Sequence, residues 1–241
     1  RYTHTSMYVP FVDLKPYVLF YRNYTGAPYH WNFDHLWSLC VEEHFYILFP
    51  LALIILLKII NKPTIKHVYY LCIAAVTLGF LAKVIMLYYS NGKDTYSATH
   101  NRIDALAYGV LLCLLANKFK NSTNLKMRWS TLFIGVTGLS TVIFMCISYE
   151  FIFFNKVMQF ALAPLFFALI IFGTMHINFS KFWLVRFIAY YSYNLYLWHP
   201  IVVHYSTDTY GAGYIGFSVY FLVSFMLAFI ATVFIEEPFL K

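Results

Sequence analysis

Charged side chains are scarce in this sequence. Asp, Glu, Lys and Arg make up 11% of its 241 residues, against 61% hydrophobic residues and a mean hydropathy of +0.65. Soluble domains carry roughly twice that charged fraction. An ordinary soluble fold cannot hide so many long apolar runs, so composition points to a membrane protein. Cysteine is rare too: Cys40, Cys72, Cys113 and Cys146 each fall in a separate apolar run. There is no CxxC and no Cys/His ligand spacing, which argues against a disulfide framework and a zinc site. The expectation is four small, buried, apolar side chains. Also missing are a Gly/Ser linker, an internal repeat, a heptad series and a low-complexity tract, so the chain reads as one membrane domain. No signal peptide opens it and its first residue is Arg1, so it is expected to start in the middle of a longer protein.

What is present is a series of apolar stretches. A helix needs about 20 mostly apolar residues to cross the hydrocarbon layer. Residues 36–57, 68–89, 103–117, 130–149, 157–176, 187–205 and 214–235 meet or approach that length, the third being the shortest. The expected fold class is all-α, a polytopic transmembrane helical bundle of seven spans within 36–241. Residues 1–35 differ: Pro10, Asp13, Lys15, Pro16 and Arg22 interrupt every apolar run, as in an extramembrane segment.

The basic residues sort by face. Lys58, Lys62 and Lys66 share one loop, Lys118, Lys120, Lys126 and Arg128 the next on the same side, and Lys181 and Arg186 a third. With Lys241 these are 10 of the 17 basic residues. The positive-inside bias puts those loops and the C-terminus in the cytoplasm, and residues 1–35 outside. The net charge of +7 is therefore a topology signal and not a nucleic-acid footprint. Lys83, alone inside a span, is expected to snorkel outward.

Ionisable groups inside spans are costly and mark pairing or function. In the first span, His35, Ser38, Glu42 and Tyr46 follow i, i+3, i+7, i+11 and form one polar stripe near the outer end. Glu43 and His44 point elsewhere, toward a neighbouring helix. Interhelical hydrogen bonding is the competing account of the stripe. A second cluster, residues 99–109, contains Arg102 and Asp104 at an outer helix start. Asp104 suits the helix dipole there. Arg102 offers a planar fork to a carboxylate or phosphate, or pairs with Glu42. A third, residues 190–200, sets Ser192, Tyr196 and His199 on one face, with Pro200 expected to kink the helix. His199 is either a hydrogen-bonded core residue or a functional one. The fourth, residues 235–239, has Glu236 and Glu237 before Pro238, which reads as punctuation after the last span. Three of the four clusters are expected at the outer face, where a bundle would gather them in one polar cavity.

The strings HLWSLCVEEHFYILFP (35–50), THNRIDALAYGVLL (99–112), SYNLYLWHP (192–200) and IEEPF (235–239) resemble the acyltransferase 3 family of membrane acyltransferases, in that family's order. That family includes bacterial O-antigen and peptidoglycan O-acetylases. Its N-terminal spans carry a histidine and arginines central to acyl transfer, and nothing in residues 1–35, with His4 and His30, matches that element. The resemblance implies transfer of an acyl group, commonly acetyl, from a cytoplasmic acyl-CoA to a hydroxyl of a cell-surface glycan or lipid-linked sugar. No bound cofactor, metal or nucleic acid is expected. It implies a bacterial inner-membrane location in contact with lipid. The chemistry needs a base for the hydroxyl proton and a donor for the oxyanion. His35, Ser38, Glu42, Glu43, Arg102 and His199 are the catalytic candidates; Trp37, Tyr46, Asp104, Tyr193 and Tyr196 are the substrate-binding ones. Ser38 reads as a hydrogen-bond partner, since no nucleophile elbow surrounds it. A proton-coupled transporter or flippase of a glycan precursor, or a non-catalytic membrane partner, are the alternatives.

Overall fold

A computed structural model describes residues 11–25, 33–89, 96–119, 125–175 and 177–240. Among them there is no strand, and helices occupy every apolar stretch. A short helix, α1 (Phe11–Val18), and a 3-10 turn, Arg22–Tyr24, occupy part of the N-terminal segment. Then come α2 (Trp37–Ile59), α3 (Ile65–Tyr89), α4 (Ile103–Lys118) and α5 (Leu125–Ser148). The chain ends with α6 (Gln159–Thr174), α7 (Trp183–Tyr210) and α8 (Tyr214–Ala231). The chain is an integral membrane protein of the all-α class.

Five helical stretches, Asp34–Ile59, Ile65–Tyr89, Leu125–Ser148, Phe154–Thr174 and Tyr214–Phe239, are long and apolar enough to cross a membrane. The other two expected spans are helical as well. At 16 residues, α4 measures about 24 Å, short of a hydrocarbon core of about 30 Å. The 28 residues of α7 are ample in length, but Arg186, Asn194, His199, His204 and Asp208 dilute its apolar character. Pro50, Pro164 and Pro200 lie inside α2, α6 and α7, each of which continues past its proline. Transmembrane helices tolerate this because neighbours and local helix adjustments re-satisfy the freed backbone groups.

The helices group into two units. The first comprises Arg1–Gly26 and Trp37–Ile177, the second Ala27–Leu36 and Asn178–Lys241. Within the first, α5 packs on α6, α3 on α4, and α4 on α6. Glycine makes the α5–α6 approach possible. A Cβ at Gly135 would lie 2.9 Å from the Ile170 backbone nitrogen, and one at Gly173 would lie 2.8 Å from Leu132 Cβ. Small residues at a membrane-helix interface let backbones close in and gain dispersion contacts, the main attraction available in lipid. Large apolar side chains such as Ile73, Phe133 and Phe144 stay exposed, as lipid-facing positions require.

In the second unit, α7 and α8 pack on each other across the turn at residues 211–213. Gly211 has φ +74°, a left-handed conformation that a β-carbon disfavours. The last span does not stop at Pro238. A π turn, Thr232–Glu236, leads into a further helical turn, Glu237–Leu240, with Pro238 in its first positions. Proline is accepted inside this helix because local π adjustments and neighbouring groups re-satisfy the freed backbone groups.

The cysteines divide. Cys40 and Cys72 are buried as expected, whereas Cys113 is exposed on α4 and Cys146 half-buried on α5. A membrane helix exposes small apolar side chains to lipid at little cost, so apolar surroundings in sequence do not mean burial in protein.

Candidate functional site

In the first unit the polar residues gather around the turn that precedes α4. Residues Thr99–Asn101 form a 3-10 turn, and Arg102 follows as the N-cap position of α4. The Arg102 guanidinium carbon lies 4.2 Å from the Tyr96 ring centre, 4.5 Å from Phe160 and 5.3 Å from Trp37. Its Nε donates to the Tyr96 carbonyl at 2.6 Å, while its Nη2 is buried with no hydrogen-bond partner among the described residues. An aromatic cage of this kind holds a cation by its flat faces and leaves the edge of the fork free. Burial pulls the guanidinium below its ordinary pKa, opposed by Tyr96 and Asp104. Of the two alternatives for Arg102, pairing with Glu42 is not made; aromatic rings surround it instead. Trp37, expected at a substrate, is one wall of this cage.

Asp104 is 1% exposed and forms a salt bridge with Lys83, itself 0% exposed on α3. Lys83 therefore does not snorkel. The residue that permits the pair is Gly79, one turn before Lys83, where a Cβ would lie 3.1 Å from Asp104 Cβ. The second Asp104 oxygen accepts the Ala105 N–H at 3.0 Å. Two opposite charges thus fasten the start of α4 to α3, two residues beyond Arg102.

His44, set apart from the stripe in the sequence, shares a 2.7 Å hydrogen bond between its Nδ1 and Thr99 Oγ1. Thr99 Oγ1 also accepts from Asn23 Nδ2 at 2.6 Å. Tyr24 stacks near His100, with its hydroxyl 3.2 Å from His100 Nδ1. Desolvation lowers the His100 pKa from its ordinary 6.5. Asn23 and Tyr24 lie in the segment read as extramembrane, where neither was singled out. Glu42 and Glu43 are half-buried and make no hydrogen bond or ion pair among the described residues. Ser38 is half-buried in the first turn of α2, and Tyr46 is 60% exposed.

The second unit gathers His35, Tyr196 and His199. The His35 ring centre is 5.2 Å from Tyr196 and 5.8 Å from His199, and the Tyr196 hydroxyl donates to the His35 carbonyl. His199 Nδ1 lies 2.8 Å from the Tyr196 carbonyl and 3.2 Å from the Leu195 carbonyl. Both partners are acceptors, so Nδ1 carries the proton of the neutral ring and Nε2 keeps its lone pair. That is the tautomer of a general base.

One to two turns away, the third and fourth motifs interlock. Asn194 donates to Thr232 Oγ1 at 2.8 Å and to Glu236 at 2.7 Å, and the Tyr190 hydroxyl donates to Glu237. The acids of IEEPF are thus partners of α7: Glu236 of Asn194 in the SYN string, and Glu237 of Tyr190 just before it. Tyr193 is 53% exposed and joins neither group.

The profile of the acyltransferase domain family matches residues 2–237. The chain belongs to the acyltransferase 3 family. Its relatives include a protein of Staphylococcus aureus (strain COL), provisionally named an O-acetyltransferase, at 30% identity over 226 residues. Another is O-acetyltransferase OatA of Staphylococcus aureus (strain NCTC 8325 / PS 47), at 30% identity over 223 residues. Each match covers 86% of this chain and 36% of the relative. The chain therefore spans little more than a third of the length of these curated relatives. No solved structure matches it.

Proposed function

We propose that this protein is a membrane-bound O-acyltransferase. It moves an acyl group, commonly acetyl, from a cytoplasmic acyl-CoA to a hydroxyl of a cell-surface glycan or lipid-linked sugar. The observation that carries this reading is the His199 ring of an acyltransferase 3 chain, tied at Nδ1 to two carbonyls and so left with a basic Nε2. A neutral imidazole fixed in that tautomer takes a hydroxyl proton near neutral pH. His35, whose ring faces His199, assists proton transfer. Arg102, gripped by three aromatic rings, turns its free edge to an anionic group of a substrate. Glu42, without a partner of its own among the described residues, balances or orients a histidine. The protein sits in a bacterial inner membrane, with residues 1–35 outside and the C-terminus in the cytoplasm, as the lysine-rich loops suggest.

The test is acyl transfer from labelled acetyl-CoA to envelope glycan in membranes that express the intact gene. Wild type transfers label, and Glu42→Gln lowers the rate by at least about tenfold. Unchanged transfer in Glu42→Gln removes the role given to that residue. Movement of labelled sugar across the membrane with no acylated glycan overturns the enzyme reading in favour of a transporter.

A further inference from the structure

A groove of about 270 Å³ lies wholly within the first unit, at the end where its helices meet the lysine-rich loops. On α4 it follows one helical face from Tyr108 to Phe119, and on α6 the stretch from Leu165 to Phe172. Met127 and Thr131, in the first two turns of α5, complete it. At 1.5 Å per residue the α4 wall is about 16 Å long. No polar atom opens into the groove, so the Tyr108 hydroxyl does not reach its surface. The Thr131 hydroxyl is turned away and donates to the Arg128 carbonyl at 2.9 Å. The walls are nonetheless accessible: Leu115 is 39% exposed, and Leu111, Leu112 and Leu169 are half-buried.

Size and chemistry select the occupant. The volume, spread over that length, leaves room for one carbon chain. Another helix, about 10 Å across with its side chains, would need several times as much. A pantetheine arm would strand its amides against the carbon walls, and a sugar its hydroxyls. What fits is a single hydrocarbon chain.

The end of the groove identifies the head of that chain. Residues 118–128 carry Lys118, Lys120, Lys126 and Arg128, and the sequence has no acid between Asp104 and Glu150. The Lys118 ammonium lies 5.7 Å from the centre of the Phe119 ring, which borders the groove. Lys126 is exposed beside Met127, and Trp129, three residues on, is 62% exposed. Lysine at a span end and an exposed tryptophan mark the headgroup level of a bilayer. Basic pockets between membrane helices at that level take anionic headgroups.

We propose that this groove binds an anionic phospholipid of the leaflet on the lysine-rich face. One acyl chain lies between α4, α5 and α6, and the phosphate meets Lys118 and Lys126. The seated chain supplies dispersion contacts that bridge α4 to α5, the attraction on which helix packing in lipid depends. The site stands apart from the acyl-transfer reading, and its test involves no acyl transfer.

The intact protein, purified in detergent, is titrated with phosphatidylglycerol and with phosphatidylcholine of identical chains, and bound lipid is counted by native mass spectrometry. Wild type is expected to prefer phosphatidylglycerol by at least about tenfold. Lys118→Gln with Lys126→Gln is expected to weaken phosphatidylglycerol by about 30-fold, the attraction of two lysines for an anionic lipid surface. Phosphatidylcholine binding should stay within about threefold. Both lysines are exposed, so the fold is not at stake in this variant. Ala168→Phe, which fills the groove, is expected to weaken both lipids. Equal affinity of wild type for the two lipids overturns the site, and so does undiminished phosphatidylglycerol binding in the lysine variant. A folded Ala168→Phe that binds as wild type does likewise. Glycerol phosphate that displaces the lipid at equal concentration reveals a free-phosphate site instead. Coenzyme A that displaces it assigns the lysines to a nucleotide, and either displacement overturns the proposal.

Discussion

Removing Lys83 is the sharpest test of how the first unit is held together. Lys83→Met keeps the length and apolar stem of the side chain but deletes the ammonium. Asp104, 1% exposed, then loses the one cation paired with it among the described residues. Breaking a buried pair on one side costs about 3–5 kcal/mol, because the remaining charge is stranded. For a chain of this size that corresponds to a fall of roughly 6–20 °C in melting temperature. A second substitution separates the pair from mere packing. In Lys83→Met with Asp104→Leu no charge is left to strand, and most of the loss is recovered. The recovery stays incomplete by about 0.5–1.5 kcal/mol, since the Ala105 N–H loses the Asp104 oxygen and keeps only the Arg102 carbonyl. The assay is thermal melting of the purified protein in detergent, read by tryptophan fluorescence. If the double variant melts no higher than Lys83→Met, the stranded-charge argument is refuted. If Lys83→Met melts with wild type, the buried pair itself is.

Two further measurements bear on the site. Arg102→Lys retains the charge but not the plane that lies against Trp37, Tyr96 and Phe160. Acyl transfer is expected to fall at least about tenfold, and a rate within about twofold of wild type would show that the cage geometry is irrelevant. His100 has its pKa lowered by desolvation, so between the folded value and 6.5 the unfolded chain binds more protons. Stability from this group is complete above pH 6.5 and declines as pH falls through the folded value. Melting temperatures of wild type and His100→Gln, followed from pH 7.5 to pH 5, should diverge in slope; parallel curves would dismiss the effect.

Much of the fold was legible because lipid imposes a simple rule: every backbone polar group must be bonded within its own helix. Apolar runs therefore announced the helices, down to α4, whose 16 residues had looked short. The stripe logic worked where partners share a helix, as with Tyr196 and His199. It failed where a partner comes from elsewhere in the chain. Nothing in the sequence around Lys83 names Asp104, 21 residues on, and the permissive glycine at 79 is silent without coordinates. Arg102 was read as offering its fork to a carboxylate or phosphate, or as pairing with Glu42. The aromatic alternative needed Phe160, 58 residues away, to be brought beside it.

The π turn at Thr232–Glu236 has a consequence for how the chain tolerates change in length. A π turn holds one residue more than the α-helix that would replace it. Deleting a single residue from this stretch would leave a continuous helix, with no break that a folding assay would register. The extra residue is taken up within one turn, so the helix before and after it keeps its facing when that residue is lost, and Glu237 stays toward Tyr190. A purely α-helical stretch has no such reserve, because each residue there turns the next by about 100°. At this point the protein should tolerate a lost residue that would misdirect both acids if it were taken from a regular stretch of helix.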